Sequence, residues 1–230
     1  MSNFLRIGFI AIALVFVFNI FAVSEANAQR VSEALKRMDA HYKSLLTLQA
    51  EITMEKYNKQ LDETDISTGK VKYLPKTDKR VMYVRVDWLK PVEEYMAVIG
   101  DGYRIYRPKL KQVYEGKTNE AKNNAKAGNA LAFMGMKRKE LNDNYSYRDL
   151  GDETIKGGTQ TVHLELTPKI ATTYKMAHVW IDKDGMPVMV KIVEKNNDST
   201  TIFLANLTKN EKLNGGDFDI KYPKSIKPIR

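Results

Sequence analysis

Apolar residues recur every three or four positions from Val31 to about Leu48: Val31, Leu35, Met38, Tyr42 and then Leu45 or Leu46, with charged residues between them. That period predicts an amphipathic helix, and Ser32 is placed to cap it. At Ala50 the period changes to two. Ala50 to Tyr57 (AEITMEKY) alternates apolar and polar residues, the pattern of a half-buried strand. Asn58 to Gly69 is polar with no apolar period and reads as a long hairpin loop or an irregular edge. Strand-like segments follow closely at Lys70 to Leu74, Arg80 to Trp88, Glu94 to Ile99 and Tyr103 to Arg107. The turn signals between them are Pro75-Lys76-Thr77-Asp78, Lys90-Pro91 and Gly100-Asp101-Gly102. Connections this short imply antiparallel neighbours.

From Thr118 to about Leu141 the texture is different, rich in Ala, Asn, Lys and Met, and predicts one or two short helices with weak points at Gly128 and Gly135. Strand texture then resumes at Tyr145 to Leu150, Asp152 to Ile155, Thr161 to Thr167, Met176 to Asp182, Pro187 to Glu194 and Thr200 to Leu207. Asp184-Gly185 and Asn197-Asp198 are tight-hairpin chemistry. The pattern predicts a mainly β (α+β) chain: one helix, a run of antiparallel strands, a helical insertion and more antiparallel strands. A sheet that long must curl or close to protect its edges, with a helix or two plugging its concave face.

The N-terminus has a separate pattern. Arg6 precedes an almost unbroken apolar run from Ile7 to Ala22, and Ala26-Asn27-Ala28 offers small residues at a cleavage site. Residues 1–28 therefore read as a cleavable secretory signal, with 29–230 as a single domain. The competing reading is an uncleaved anchor, the run being near the lower limit for a span. Gln29 stands where a lipid-anchored bacterial protein would carry cysteine, so the expected product is released into the periplasm.

There is no cysteine in the 230 residues, which excludes disulfides, thiolate metal sites and cysteine nucleophiles. The formal net charge is +9. Outside the cytoplasm this argues against nucleic acid and for anionic lipid surfaces or an acidic partner, unless it is only a solvated surface. The lysines are spread along the chain in short clusters such as Lys109/Lys111 and Lys137-Arg138-Lys139.

Candidate chemistry is sparse. His41, His163 and His178 fall in separate segments, and although His163 and Glu165 could share a sheet face, no metal set converges in sequence. No nucleophile elbow, phosphate loop or dinucleotide fingerprint is present, so neither a cofactor nor an enzyme is expected. What stands out is apolar. Phe133, Met134 and Met136 cluster in the helical insertion, and methionine suits surfaces that adapt to variable apolar ligands. Tyr73, Trp88, Met96, Tyr103, Ile105, Leu164 and Trp180 come from the strands. These ten residues are the candidates for an apolar cavity and its lid, although sequence leaves a packed interior equally open.

The order of elements resembles the LolA family, periplasmic carriers of outer-membrane lipoproteins. The opening helix with SLLTLQAEITMEKY resembles the family's first helix and strand, and Gly69-Lys70-Val71-Lys72-Tyr73-Leu74 its second strand. Arg85-Val86-Asp87-Trp88-Leu89-Lys90-Pro91 is similar to its R-x-x-aromatic-x-x-P segment. Val98 to Pro108, continued by Gln112-Val113, is similar to its strand, D-G turn and aromatic strand. Val179 to Pro187 and the ending Gly216 to Pro223 resemble its late strand-turn-strand and terminal F-x-F-x-x-P strand.

The resemblance implies an unclosed, strongly curved antiparallel β-barrel whose helices cover an apolar concave face. It implies a monomeric carrier of lipoprotein acyl chains, or of other lipids. An inner-membrane lipoprotein-releasing transporter and an outer-membrane acceptor are its implied partners. The family places an arginine just after the second strand, tied to lid closure. Leu74-Pro75-Lys76 stands there instead; Arg80 and Arg85 are the nearest arginines, and the resemblance carries the role onto neither. A periplasmic sensor on the same scaffold and an exported lipid-acting enzyme remain as alternatives.

Overall fold

A computed structural model describes residues 27–118, 136 and 138–229. Residues 1–26, most of the stretch expected to be an export signal, and Phe133 and Met134 of the insertion lie outside the described residues. The first helix, α1, spans 27–44, and a short second helix, α2, spans Arg138–Asn144. Ser32 lies within α1 and does not cap it. No helix among the described residues is long and apolar enough to cross a membrane.

Eleven antiparallel strands form one unclosed, curled sheet. In chain order they are β1 (Leu48–Asn58), β2 (Glu63–Leu74), β3 (Tyr83–Lys90), β4 (Glu94–Ile99), β5 (Gly102–Arg107), β6 (Gln112–Lys117), β7 (Tyr145–Ile155), β8 (Thr159–Pro168), β9 (Tyr174–Asp182), β10 (Pro187–Glu194) and β11 (Ser199–Lys209). Their spatial order is β6-β5-β4-β3-β2-β1-β11-β10-β9-β8-β7. Two meanders thus meet at the β1–β11 pair, and the two edges are β6 and β7.

The stretch expected to be a long loop is mostly strand. Glu63 to Gly69 pairs with β1 through Asn58, leaving residues 59–62 as the turn. The upper part of β2 extends past β3, whose pairing begins at Thr68. Solvent reaches both of its faces, so no alternation is written into it. Gln112–Lys117, not predicted as a separate strand, is β6. Residues expected as two strands around Gly151 form the single strand β7, which bulges between Asp149 and Gly151.

The edges are managed differently. The C-terminal tail returns along β6, where the Glu115 amide donates to the Ile229 carbonyl at 3.0 Å and the Ile229 amide to the Val113 carbonyl at 2.8 Å. That covers backbone groups an exposed edge would offer to other chains. On its way the tail seals the outer face of β3–β6. Phe218 and Ile220 are buried there with Leu74, Ala97 and Val113, and the Phe218 ring packs 5.4 Å from that of Tyr83. The Arg85 guanidinium donates to the carbonyls of Asp217 and Asp219 and pairs with Asp87. At the other edge, Arg30 of α1 pairs with Asp149 and Asp152 of β7 at 2.7 and 3.0 Å.

Candidate functional site: the concave face of the sheet

Strand alternation and register together define one continuous apolar face. Across five strands, Ile105, Met96, Val86, Val71 and Ala50 stand opposite one another. A parallel row runs Tyr103, Val98, Val84, Tyr73 and Leu48. Beyond β1 the same face continues through Met54, Ile202, Val190, Val179 and Leu164. Trp88 shares it, facing Gly69 across the β2–β3 pair. Gly69 sits at a register shift, where a Cβ would lie 2.1 Å from the Asp87 carbonyl oxygen. The backbone approach that presents Trp88 therefore needs glycine at this position.

The two halves of this face differ in cover. Over β8 and β9 it is filled: Leu35 and Met38 of α1 and Leu141 of α2 lie on Leu164, Leu166, Val179 and Ile181. The apolar void left between them admits about 10 Å³ of a water-sized sphere, roughly one such sphere. Over β2–β5, Tyr73, Val84, Met96, Val98 and Tyr103 are only half-buried. Met136 is partly buried against the same core.

Three contacts fix α1. Its start is held by Arg30 to β7. Its middle rests on the β9–β10 turn, where Gly185 (φ +86°) comes so close that a Cβ would lie 2.3 Å from the Arg37 carbonyl oxygen. Near its end the Tyr42 and Tyr73 hydroxyls are hydrogen-bonded at 3.0 Å. Burial, and then that bond, push the Tyr73 phenol far above its usual range, so it stays protonated.

Seven of the ten candidates thus lie on or against one face: Tyr73, Trp88, Met96, Tyr103, Ile105, Leu164 and Met136. Trp180 is not among them. Val179 and Ile181 point inward, so Trp180 stands on the outer face. There its ring stacks 4.0 Å from His163 and its indole N–H donates to Glu153 at 2.8 Å. His178 joins this outer cluster, its Nδ1 lying 3.0 Å from His163 Nε2. Sequence could not place the two histidines together, because their meeting depends on the β8–β9 register. No group of three or more potential metal ligands converges among the described residues. Arg85 serves the outer-face tail, and Arg80 donates to the Pro75 carbonyl within its own loop. The bond that reaches α1 from the end of β2 is the tyrosine pair.

All three imidazoles are held below their ordinary value of 6.5, chiefly by burial. His41, on the buried side of α1, is also opposed by Lys209, while Asp182 and Asp184 act in the other direction. The unfolded chain therefore binds these protons first, and stability rises with pH. The contribution is fully present above about pH 6.5 and is lost as pH falls below it. Urea titrations at pH 7.5 and 5.5, above the carboxylate range, will show lower stability at 5.5. His41→Leu will reduce that difference.

The family model described as outer membrane lipoprotein carrier protein LolA matches residues 43–221, and this chain belongs to that family. No curated protein sequence matches it. Among solved structures it is similar to an uncharacterized conserved protein from Thermus thermophilus, with TM-score 0.55, 14% identity, and 87% of this chain and 99% of that one covered. It is also similar to MucB, with TM-score 0.55, 14% identity, and 83% of this chain but 62% of that one covered. The Pseudomonas aeruginosa MucA/MucB complex gives TM-score 0.52, 16% identity, and coverages of 83% and 60%. At these identities the likeness is one of fold.

Proposed function

We propose that this protein is a periplasmic carrier that shelters the acyl chains of lipoproteins against its concave face and ferries them between membranes. The observation that carries the reading is the apolar face running unbroken from β5 to β8, with α1 laid on it and half of it only partly covered. Binding here is an exchange. Releasing Ala34, Leu35 and Met38 of α1, with Leu45 just past its end, from the sheet costs about 1.5–3 kcal/mol for each large side chain, while an acyl chain returns about 0.8 kcal/mol per CH₂. A dozen methylenes, at roughly 10 kcal/mol, outweigh the helix contacts and leave a modest net affinity. A carrier needs such a balance, because it must let go. The roles of an inner-membrane donor and an outer-membrane acceptor belong to this reading.

A complex between MucA and MucB, the latter similar in fold to this chain, favours a second reading, a sensor whose apolar face reports lipid to a partner protein. Both readings require acyl binding, and neither requires catalysis. Lipid-free protein titrated with a fluorescent fatty acid or a triacylated peptide will show saturable uptake. Its absence overturns both.

A further inference from the structure

The strand directions gather five connections on one rim of the sheet: residues 59–62, 91–93, 108–111, 169–173 and 195–198. Four of them place large apolar side chains in solvent. Leu61 is 63% exposed, Leu110 61% and Ile170 64%, and Leu89 and Val92 flank the β3–β4 turn at 44% and 51%. One such residue needs no explanation, but a row of them along one rim does. The opposite rim also exposes Leu46 (64%), Val81 (47%) and Ile99 (37%), but its tight turns, Gly100-Asp101, Lys156-Gly157-Gly158 and Lys183-Asp184-Gly185, carry no large apolar residue at their tips.

Each apolar tip is also paired with lysine in sequence. Lys59 precedes Leu61, Lys90 separates Leu89 from Val92, Lys109 and Lys111 bracket Leu110, and Lys169 precedes Ile170. Over these five connections the rim has five lysines against Asp62, Glu93 and Asp198, and Lys90, the last residue of β3, adds a sixth. Two of these acids are tied into the turns: Asp62 accepts from the Tyr57 hydroxyl at 2.7 Å, and Asp198 from the Lys59 amide at 2.9 Å.

We infer that this rim docks on the surface of an anionic lipid bilayer, with Leu61, Leu89, Val92, Leu110 and Ile170 entering the interface and the lysines meeting the headgroups. Apolar tips alone would suit any greasy partner. A cationic side chain beside each one matches a plane of negative headgroups over an apolar layer, into which a lysine stem reaches while its ammonium stays wet. The inference does not depend on the carrier reading, because docking uses the rim and acyl uptake uses the concave face.

The test is flotation of the full chain with vesicles of phosphatidylglycerol and phosphatidylethanolamine, and with vesicles of phosphatidylcholine alone. Binding is expected to the first, weakened by salt, and much less to the second. Leu61→Ser and Leu110→Ser are each expected to weaken partition about tenfold, with circular dichroism and vesicle-free fatty-acid uptake unchanged. Val81→Ser, at an exposed position on the opposite rim, is the control. Equal binding to both vesicle types, no binding to either, or an equal loss in Val81→Ser overturns the proposal, and no binding to either would point to a protein partner. Loss of uptake with vesicle binding intact would count against the carrier reading only.

Discussion

Gly185→Ala is expected to cost the fold about 2–4 kcal/mol and to loosen α1 from the sheet. Two terms combine. The residue's φ of +86° lies in the left-handed region, where a Cβ costs about 1–2 kcal/mol. The added methyl would also sit 2.3 Å from the Arg37 carbonyl oxygen. Backbone cannot swing aside as a flexible side chain does, so α1 must lift. Gly157→Ala separates the terms, because its φ is +88° and nothing lies within 4 Å of the new Cβ. Urea denaturation should give about 1–2 kcal/mol for Gly157→Ala and clearly more for Gly185→Ala. Only the latter should increase binding of a hydrophobic dye. Equal costs would mean that the turn does not seat the helix.

Met96→Asp is expected to abolish acyl uptake, weakening it at least a hundredfold, while the chain still folds. Met96 stands mid-row between Ile105 and Val86 and is only half-buried. In the lipid-free protein water can still reach a carboxylate there. An acyl chain laid across the same position would strip that water away, and an unpaired carboxylate in apolar surroundings costs several kcal/mol. The same change on the outer face, at Thr201, should leave uptake untouched. Fluorescence titration of the two variants checks both statements.

Much of this fold is legible in sequence wherever one face of an element is buried and the other wet. The period of α1 is readable because Leu35 and Met38 meet the sheet while the charged side is in solvent. The predicted helix still runs too far: α1 ends at 44, Leu45 is buried just past it, and Leu46 is exposed. β4 and β10 fall where their alternation places them. The upper half of β2 reads as loop because solvent bathes both of its faces, and period two carries information only when the faces differ.

Trp180 is misplaced by its sequence for the opposite reason. Ala177-His178-Val179-Trp180-Ile181 is apolar on both faces, since Trp180 packs on the outside with His163 while Met189 and Phe203 stand across from it in the ladder. With both phases apolar, alternation cannot say which faces inward. The tyrosine pair joining α1 to β2 is hidden as well, since Tyr42 and Tyr73 are ordinary members of two separate patterns until the helix is docked.

The central claim is that acyl chains lie on the concave face, and photocrosslinking tests it most directly. Lipid-free protein is loaded with a fatty acid carrying a diazirine, irradiated, digested and mapped by mass spectrometry. The expected adducts fall on Tyr73, Val84, Met96, Val98 and Tyr103, spare Trp180, Met189 and Phe203, and disappear with excess unlabelled fatty acid. Adducts concentrated on the outer face, or spread without competition, would contradict the account.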